Sequence, residues 1–517
     1  MTLVRQLLDQ AARTPDGVAL VSGNGTELTY GELRRQVLAV RHGLLSAGLA
    51  EGDGVLFSVR PSPESLVLAL GVVAAGGVVV FADPGAGPEM FTARLRLARP
   101  RWSAAESVLY AGSRLRIVRA YARRRGLLLP NLAELQIPGE DPMRHIHVGR
   151  RLPGVPRGSL SLADLLRGDA PEPSEDTDPG APAAVIFTSG TTAAPRAVVH
   201  SQASLAAALG LFRDRMPLGP GDVVHTDQLM LGLPTLISGA RWSMPPLFCS
   251  PVDFVRLMRE RGATHTFCVP VHLAEILDTA PELPPSLRYV LLGAAPAPAG
   301  ILKRATSATS AEVLSVYAMT EILPVAIASA EEKLAHTASG AEGDLLGTPL
   351  PGVGARLADD GELLLSGPNL CRGYLGAEPF EELATGDLAR LDDGRIVLTG
   401  RKKDMLIRGK FNLYPGLYEP SIAALPGVDE AAIVGVPDPE TGDEEVVLAV
   451  TGTADPARLR RDLPAVIDHD ALPDRVIVLG ALPRSGRTRK LDRDRLRDLA
   501  ARPARPAQPA RRPGTSG

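Results

Sequence analysis

The stretch "FTSGTTAAPRAVVH" (187–200) concentrates hydroxyl-bearing and small residues in one turn that follows an apolar run. Its central residues form an unbroken row of hydroxyls around one glycine, namely Thr188, Ser189, Gly190, Thr191 and Thr192. Converging backbone N–H groups and hydroxyls bind anions, and glycine lets the backbone approach a phosphate closely. The Gly-Lys-Ser/Thr of the common P-loop is absent. The stretch therefore predicts either a loop that holds the phosphates of ATP or an ordinary polar turn.

The segments around this loop alternate between strand and helix patterns. Residues 183–187 are typical of a strand, and residues 201–216 are typical of the helix after the loop. Nearer the N-terminus, residues 29–49 have apolar side chains at three-to-four spacing and a glycine stop, and residues 52–59 follow as a strand. This alternation predicts an α/β fold in which helices cover a parallel sheet.

The pattern changes along the rest of the chain. Residues 136–182 are rich in Pro, Gly and charge, and predict loops around one short helix at 160–167. Residues 343–400 predict short antiparallel strands, and a smaller α/β unit begins at about residue 404. The Pro/Arg/Ala segment at the end has too little apolar surface to pack, and we expect it to be disordered.

The composition is typical of a soluble enzyme with more than one domain. The chain has 517 residues, a length that exceeds what one hydrophobic core usually organises. Of these residues, 45% are apolar. The net charge of −3 gives no electrostatic reason to expect nucleic acid or an anionic membrane as partner. Cys249, Cys268 and Cys371 have no paired or metal-ligand spacing and predict reduced thiols of a cytoplasmic protein. We expect no signal peptide and no membrane-spanning segment.

A second stretch, "VYAMTE" (316–321), offers three groups suited to a nucleotide at the end of an apolar strand. The ring of Tyr317 can stack on a purine, the Thr320 hydroxyl can bond a phosphate, and the Glu321 carboxylate can hold Mg²⁺. The alternative is a helix start at which Thr320 is the cap.

Two further stretches complete the set. "TGDLARLDDGRIVLTGRKKD" (385–404) supplies Asp387 and Arg401, a carboxylate and a guanidinium suited to ribose hydroxyls, unless it is a solvated hairpin. "LPRSGRTRKLDRDRL" (482–496) contains Lys490, unless it is a basic surface helix. Lysine is uncommon in this chain, which favours a functional role at 490; the six are Lys303, Lys333, Lys402, Lys403, Lys410 and Lys490.

Together, and in this order, the four stretches resemble the adenylate-forming superfamily of acyl-CoA synthetases, peptide-synthetase adenylation domains and luciferases. The likeness runs from residue 14 to Lys490. It implies an α/β fold with a large N-terminal domain of βα layers plus a distorted β-barrel, followed by a small mobile α+β domain. The boundaries implied are 1–402 for the large domain, 403–497 for the small domain and 498–517 for the disordered tail.

The resemblance also implies a role for each matching residue. Lys490, Thr191 and Glu321 would be catalytic, and Glu321 would bind the metal. Lys403 would be the hinge between the domains, and Lys490 would bridge the substrate carboxylate and the α-phosphate. The nucleotide would be bound by the phosphate loop, the adenine pocket and the ribose pair: Thr188, Ser189, Gly190, Thr192, Arg196, Gly293, Ala294, Ala295, Pro296, Tyr317, Thr320, Asp387 and Arg401.

Several segments depart from the family pattern. Ala193 and Ala197 replace glycines of the phosphate loop and Arg196 replaces its lysine, so we expect a working but stiffer loop. Before Lys490 the family's adjacent glycine is missing and the segment is one residue longer, so Arg489 is an alternative cation, although we favour Lys490. The segment 400–420, which includes the loop 407–415, looks like that of ordinary acyl-CoA synthetases, although "KF" (410–411) replaces the usual Gly-Glu.

The segment 222–246 departs most from the family. It lacks the Pro-Leu-aromatic-His segment that acyl-CoA synthetases often carry next to the carboxylate pocket, and its spacing looks more like the β-lactone synthetase branch. Its apolar residues would line an acyl pocket for an aliphatic or aromatic acid or would be ordinary core: Leu229, Met230, Leu231, Leu233 and Trp242.

The resemblance implies an AMP-forming acid–thiol ligase. With ATP and Mg²⁺ it would convert a small carboxylic acid to acyl-AMP, release pyrophosphate, and transfer the acyl group to coenzyme A or to the phosphopantetheinyl arm of an acyl carrier protein. One alternative keeps the adenylation but uses another acceptor, such as an internal hydroxyl that closes a β-lactone, or an amine. Another alternative is a nucleotide-binding protein that has lost catalysis.

Overall fold

The computed structural model of the chain describes residues 2–82, 88–124, 129–137, 139–173, 177–187, 196–408, 411–413, 415–437, 444–467, 471–485 and 489–501. Its α-helices are α1 Leu3–Arg13, α2 Tyr30–Ser46, α3 Pro63–Ala74, α4 Pro88–Ala98, α5 Ser107–Arg114, α6 Arg116–Arg124, α7 Leu162–Arg167, α8 Gln202–Arg215, α9 Leu229–Ile237, α10 Pro251–Glu260, α11 Pro270–Thr279, α12 Ala299–Ala308, α13 Ala330–Ala338, α14 Pro415–Ala423, α15 Pro456–Asp462 and α16 Arg493–Ala500.

Its strands are β1 Val18–Val21, β2 Glu27–Thr29, β3 Gly54–Ser58, β4 Val78–Phe81, β5 Trp102–Glu106, β6 Arg144–Val148, β7 Leu160–Ser161, β8 Pro182–Phe187, β9 Ala197–Ser201, β10 Val223–His225, β11 Arg241–Ser243, β12 His265–Cys268, β13 Tyr289–Leu292, β14 Glu312–Tyr317, β15 Ala326–Ser329, β16 Asp344–Gly347, β17 Gly354–Leu357, β18 Glu362–Ser366, β19 Gly373–Tyr374, β20 Leu383–Asp392, β21 Arg395–Arg401, β22 Leu406–Arg408, β23 Phe411–Leu413, β24 Val428–Pro437, β25 Glu444–Gly452, β26 Arg475–Val478, β27 Arg484–Ser485 and β28 Lys490–Leu491.

The first sheet has eight strands in the order β15-β14-β13-β12-β10-β11-β1-β2. Its central pairs are parallel, and an antiparallel pair closes each edge. Val290, Leu291 and Leu292 of β13 are all buried, as expected of a strand covered on both faces. The carboxyl ends of β12, β13 and β14 therefore meet at one edge of the sheet, where α/β folds usually bind ligands.

The second sheet has eight strands in the order β19-β9-β8-β4-β3-β5-β6-β7. One core joins it to the first sheet, since Val55 and Val79 share a buried cluster with Leu20 and Trp242 of the first sheet. This sheet corrects two predictions. Residues 144–148 form β6 inside the segment that was expected to be loops. The predicted phosphate loop is followed by strand β9 rather than by a helix.

The second correction changes the physics of the loop. Strands β8 and β9 pair antiparallel, with Phe187 opposite Ala197, so residues 188–195 connect the two strands of a hairpin. Helix α8 begins only after β9, behind a capping box of Ser201 and Ser204. The N–H groups of a helix N-terminus therefore do not follow the loop directly.

A five-stranded antiparallel sheet, in the open order β16-β21-β20-β18-β17, follows in the place predicted for the distorted barrel. In the pairing of β20 and β21, Asp387 lies opposite Arg401. The two layered sheets and this third sheet confirm the predicted α/β class of the large N-terminal part.

The C-terminal part is a smaller α/β unit with its own cores. Strands β24, β25 and β26 form a three-stranded sheet, and β22–β23 and β27–β28 are hairpins. Among the described residues, its buried clusters contain only residues from Leu406 onward, whereas the other clusters end at Leu398. Helix α16 continues to Ala500, so the predicted tail starts as helix, and residues 502–517 lie outside the described residues.

Within the described ranges, no helix combines the length and the apolar character that crossing a bilayer requires. The three cysteines are unpaired thiols, and Cys268 and Cys371 are buried.

Candidate active site

Three predicted residues from three strands form one hydrogen-bonded network. Tyr317 ends β14 and its hydroxyl donates to Asp387 Oδ2 at 2.7 Å. Arg401 Nε lies 2.7 Å from Asp387 Oδ1. The Asp387 carboxylate is buried, and burial and its negative charge raise the pKa of Tyr317 well above the usual value. The register of β20 and β21 and the end of β14 thus bring the predicted ribose pair and the predicted adenine-stacking ring together.

Glu321 lies four residues beyond Tyr317 and is also buried. Its Oε1 accepts a hydrogen bond of 3.0 Å from the hydroxyl of Tyr374, at the end of β19. Desolvation and the Glu321 charge raise the pKa of Tyr374 to about 12, so this tyrosine stays protonated as a donor. The Arg196 guanidinium lies 5.5 Å from the centre of the Tyr374 ring. Tyr374 thus contacts both Glu321 and Arg196, the residue at the end of the phosphate loop.

Thr320 is held by its backbone. His200, buried at the end of β9, bonds the Thr320 carbonyl through Nε2 at 2.7 Å and contacts the Ser204 hydroxyl through Nδ1 at 3.2 Å. The carbonyl can only accept, so Nε2 carries the proton and Nδ1 accepts from Ser204. Burial lowers the pKa of His200, which keeps the imidazole neutral. The second sheet therefore fixes the segment of the first sheet that carries Thr320.

The predicted adenine wall, residues 293–296, follows β13 directly. A Cβ on Gly293 would lie 2.9 Å from the Phe267 Cζ atom, so only glycine fits above that ring. Ala294 has φ of 65°, a left-handed conformation that is uncommon for a residue with a side chain. Ala294 and Pro296 are exposed and Ala295 is partly exposed, as a ligand-facing wall requires.

Lys490 reaches this site from the small C-terminal part. It begins β28, and its ammonium is close enough to the charges of Arg401, Lys403, Asp387 and Glu321 for them to affect its pKa. Although the side chain remains solvent-exposed, desolvation by the surrounding protein lowers that pKa, and the two neighbouring cations lower it further. Arg489, the alternative cation, instead pairs with Glu275 of α11.

The predicted hinge is preceded by a fixed residue. Lys402 Nζ lies 2.5 Å from Asp360 Oδ2, in the turn before β18, and 2.6 Å from Glu362 Oε2, the first residue of β18. Lys403 follows in a short 3-10 helix, Lys402–Asp404. The five-stranded sheet thus holds the chain up to Lys402.

A model of the AMP-binding enzyme family matches residues 7–375. A second model, of the AMP-binding enzyme C-terminal domain, matches residues 418–490. The chain belongs to the AMP-binding enzyme family. Residues 7–375 alone cover more than half of the chain and contain the phosphate loop, Tyr317 and Glu321.

Relatives of this AMP-binding enzyme are ligases. It is 29% identical over 483 residues to a feruloyl-CoA synthase of a Streptomyces species, covering 88% of this chain and 89% of that protein. It is 30% identical over 471 residues to 3-[(3aS,4S,7aS)-7a-methyl-1,5-dioxo-octahydro-1H-inden-4-yl]propanoyl:CoA ligase of Rhodococcus jostii, covering 86% and 87%. The solved structure of the amide bond synthetase McbA from Marinactinospora thermotolerans has a TM-score of 0.78 and 25% identity, covering 96% and 99%.

These comparisons confirm the predicted superfamily, the two-part fold and the enzyme class, an AMP-forming acid–thiol ligase. They also confirm the main predicted reaction, formation of acyl-AMP followed by acyl transfer to a thiol. ATP and coenzyme A are the substrates that this class of AMP-binding enzyme uses.

The phosphate loop of this AMP-binding enzyme lies outside the described residues. The predicted contacts that fall there, and so remain predictions, are those of Thr188, Ser189, Gly190, Thr191 and Thr192. Of the loop 407–415, residues 409, 410 and 414 are also outside.

The altered segment 222–246 forms β10, α9 and β11. Leu231 and Trp242, two of the predicted pocket residues, are core instead: both are buried, and the Trp242 indole donates to the Thr226 carbonyl at 2.8 Å. Met230 and Leu233 are partly buried against the same core, and Leu229 is exposed. Of the two alternatives that the sequence leaves open, burial therefore favours ordinary core for Leu231 and Trp242.

Sequence reasoning missed Tyr374 and Glu275. Tyr374 stands in "RGYLG" (372–376), an aromatic residue between glycines after a strand, which was a usable signal. Glu275 lies on an ordinary amphipathic helix and gives no such signal.

Proposed function

We propose that this protein joins a carboxylic acid to coenzyme A through an acyl-AMP intermediate, in the site bounded by Tyr317, Glu321, Asp387, Arg401 and Lys490. The observation that carries the proposal is that Lys490, from the small domain, lies among the charges of Glu321, Asp387 and Arg401, which come from the large domain. We take the domain boundary near 402–403 as part of the proposal, and the separate cores on either side support it.

In the first half-reaction the acid's carboxylate oxygen attacks the α-phosphorus of ATP. A P–O bond forms there, and the bond to the bridging oxygen breaks, releasing pyrophosphate. The Lys490 ammonium supports this step because it can contact the incoming carboxylate and the α-phosphate together, where negative charge accumulates. Asp387 accepts hydrogen bonds from the ribose hydroxyls, and Arg401 holds Asp387 in place. The Tyr317 ring stacks on the adenine.

The residues present fit a magnesium ion carried by the nucleotide. Glu321 is a buried carboxylate whose Oε1 accepts a hydrogen bond from Tyr374. Its Oε2 has no hydrogen-bond partner among the described residues, so this atom is a suitable hard oxygen ligand. When bound, the ion would neutralise charge on the phosphates and on the departing pyrophosphate. The described residues contain no cluster of three His, Cys, Asp or Glu side chains able to hold a metal. A single carboxylate suits an ion that is otherwise held by phosphate oxygens and water.

In the second half-reaction the sulfur of coenzyme A attacks the acyl carbon of the mixed anhydride. The thioester bond forms, the acyl–oxygen bond to AMP breaks, and the thiol proton is released. We assign presentation of the thiol to the side of the small domain that carries the loop 407–415, so Lys490 and this loop act in turn. Lys403 is the proposed pivot between the two orientations.

We further propose an uncharged aliphatic or aromatic acid as substrate. The exposed Leu229 and the partly buried Met230 and Leu233 on α9 support this choice, since they offer apolar contacts beside the first sheet's ligand-binding edge.

The experiment is pyrophosphate release from ATP and Mg²⁺ with a panel of carboxylic acids, with and without coenzyme A, and products identified by mass. We expect release that accelerates with coenzyme A and a product with the mass of an acyl thioester. No turnover with any acid would overturn the proposal in favour of a nucleotide-binding protein without catalysis.

Other acceptors are outcomes of the same experiment. A product one water lighter than a β-hydroxy acid, at a rate unaffected by coenzyme A, would indicate the lactone-forming branch. Thioester formed only on a holo carrier protein would indicate a carrier-dependent ligase. The likeness to an amide bond synthetase makes an amine the third acceptor to include.

A further inference from the structure

The residue before Lys490 has an unusual backbone conformation. Arg489 has φ of 50°, in the left-handed region where side chains are disfavoured. The family resemblance implies a glycine next to the lysine, and glycine adopts this conformation freely. A residue with a side chain persists there only when surrounding contacts fix it. The contacts of Arg489 therefore show what stabilises, at this position, a backbone conformation that glycine would adopt without them.

One set of contacts fixes the backbone within the small domain. Arg484 Nη1 donates to the Arg489 carbonyl at 3.0 Å, and Arg484 also pairs with Glu430 of β24. In the hairpin β27–β28, Ser485 lies opposite Lys490. The position of Lys490 is thus tied to the three-stranded sheet through Arg484.

The other contact crosses to the large domain. Arg489 Nη1 lies 2.5 Å from Glu275 Oε1, in the middle of α11. Helix α11 follows β12, whose carboxyl end meets the ligand-binding edge of the first sheet. Among ion pairs between two described residues, this is the only one that joins a residue before 402 to a residue after 403. The contact therefore helps to hold the lysine-bearing hairpin against the large domain.

We propose that the Arg489–Glu275 ion pair stabilises the small-domain orientation that presents Lys490 to the nucleotide, so that both residues are positioning residues for acyl-AMP formation. The inference rests on the proposed two-step function. The small domain has to turn before the thiol can attack, and the pair opens in that turn. A pair that exists in only one orientation shifts the population toward that orientation.

The exposure of the pair suits this role. The side chains of Arg489 and Glu275 are 49% and 44% exposed. Exposed ion pairs change an equilibrium by only about two- to fivefold, and salt screens them. A contact of this strength favours the first orientation without blocking the second.

The test separates the two half-reactions. R489G keeps a backbone suited to a positive φ but removes the guanidinium, and E275Q removes the opposite charge. We expect each variant to form acyl-AMP about two- to fivefold more slowly, measured as pyrophosphate release in a single turnover without coenzyme A. Thioester formation from presynthesised acyl-AMP and coenzyme A should be unchanged or faster. The double variant E275R/R489E should recover acyl-AMP formation to within about twofold of wild type.

A neighbouring ion pair provides the matched control. Arg304 of α12 and Asp278 of α11 are also exposed and lie 2.6 Å apart, but both belong to the large domain. D278N should change neither half-reaction. The proposal would be overturned if R489G and E275Q slowed both half-reactions equally or left the ratio of their rates unchanged. It would also be overturned if the double variant did not recover acyl-AMP formation. Absence of acyl-AMP formation by the wild type would instead overturn the proposed function.

Discussion

At the residue scale, the proposed first half-reaction depends most on Lys490. Lys490→Ala should lower acid-dependent pyrophosphate release by about 10²- to 10³-fold, because it removes a cation aimed at developing negative charge. ATP binding, measured by calorimetry, should persist, since Tyr317, Asp387 and Arg401 are untouched. Lys303→Ala, at an exposed position on α12, is the control and should leave both quantities unchanged. Wild-type turnover by the Lys490 variant would remove this residue from the mechanism.

The lowered pKa of Lys490 predicts the alkaline limb of the rate. A depressed lysine pKa means that the cation is lost as pH rises through a value below 10.5. The kcat/KM for ATP reports the protonation state of the free enzyme. As pH rises, this quantity should therefore begin to fall at a pH below 10.5, with unit slope on a logarithmic plot. Lys490→Arg should move this fall to higher pH, because a guanidinium keeps its proton. An unshifted limb in that variant would assign the titration to another group.

The residues that sequence could identify are those whose chemistry is unusual for their position. Glu321 is an acid that follows strand β14, Asp387 is an acid within strand β20, and Lys490 is a rare lysine among many arginines. Glu275 is an ordinary acid on an amphipathic helix, and its partner Arg489 lies 214 positions away. Nothing local marks such a pair, because it exists only once two domains are placed against each other.

At the element scale, the segment around the phosphate loop shows that hydrophobic periodicity predicts a long helix better than it predicts which element directly follows a loop. The sequence pattern places residues 197–200 with the loop and begins the helix at residue 201, because a short apolar run before a helix start has no distinct period of its own. The antiparallel pairing of β8 and β9 is a tertiary choice: β9 also receives β19, which carries Tyr374. The hairpin therefore places Arg196 and Tyr374 together, a relation that a strand–loop–helix unit would not produce.

Helix α9 gives a prediction about packing. A Cβ on Gly232 would lie 2.2 Å from Trp242 ring atoms, so Gly232→Ala should overpack the core and destabilise the large domain by about 1–3 kcal/mol. Displacement of α9 should also raise the KM for the acid, since the helix carries Leu229 and Met230. Gly210→Ala, in the middle of α8 with no atom within 4 Å of the added Cβ, is the control. Thermal unfolding should show a lowered Tm for Gly232→Ala and an unchanged or slightly raised Tm for Gly210→Ala.

At the scale of the whole molecule, the change of hydrophobic pattern near residue 404 predicted two units, and the buried clusters divide at the same place. Pattern can locate such a division because each unit has to bury its own apolar faces. It cannot give the relative placement of the units, which depends on contacts such as those of Arg489 and Gly416. A Cβ on Gly416 of α14 would lie 2.9 Å from the Gly400 Cα of β21.

Two buried histidines of the first sheet predict acid sensitivity of the large domain. Burial lowers the pKa of His225 to about 3 and that of His265 to about 4. The unfolded chain takes up these protons below about pH 6.5, whereas the folded chain does not, so stability is lost as pH falls from 6.5 toward 4. Tm should drop over this range by at least about 2 °C for each histidine.

His225→Phe should flatten that dependence. The ring remains beside Phe254, and the Ser243 hydroxyl keeps its bond from Arg261 Nη1 at 2.9 Å. An acid dependence identical to wild type would assign the destabilisation to other groups.

The anchoring of Lys402 has a consequence for the fate of the intermediate. Glu362, one of its two partners, also accepts a bond of 2.7 Å from the backbone N–H of Gly386, the residue before Asp387. The proposed rotation at Lys403 would therefore leave the strands that carry Asp387 and Arg401 where they are. Under that proposal the acyl-AMP would stay bound while the small domain turns, and we expect little of it to be lost to hydrolysis before the acceptor attacks.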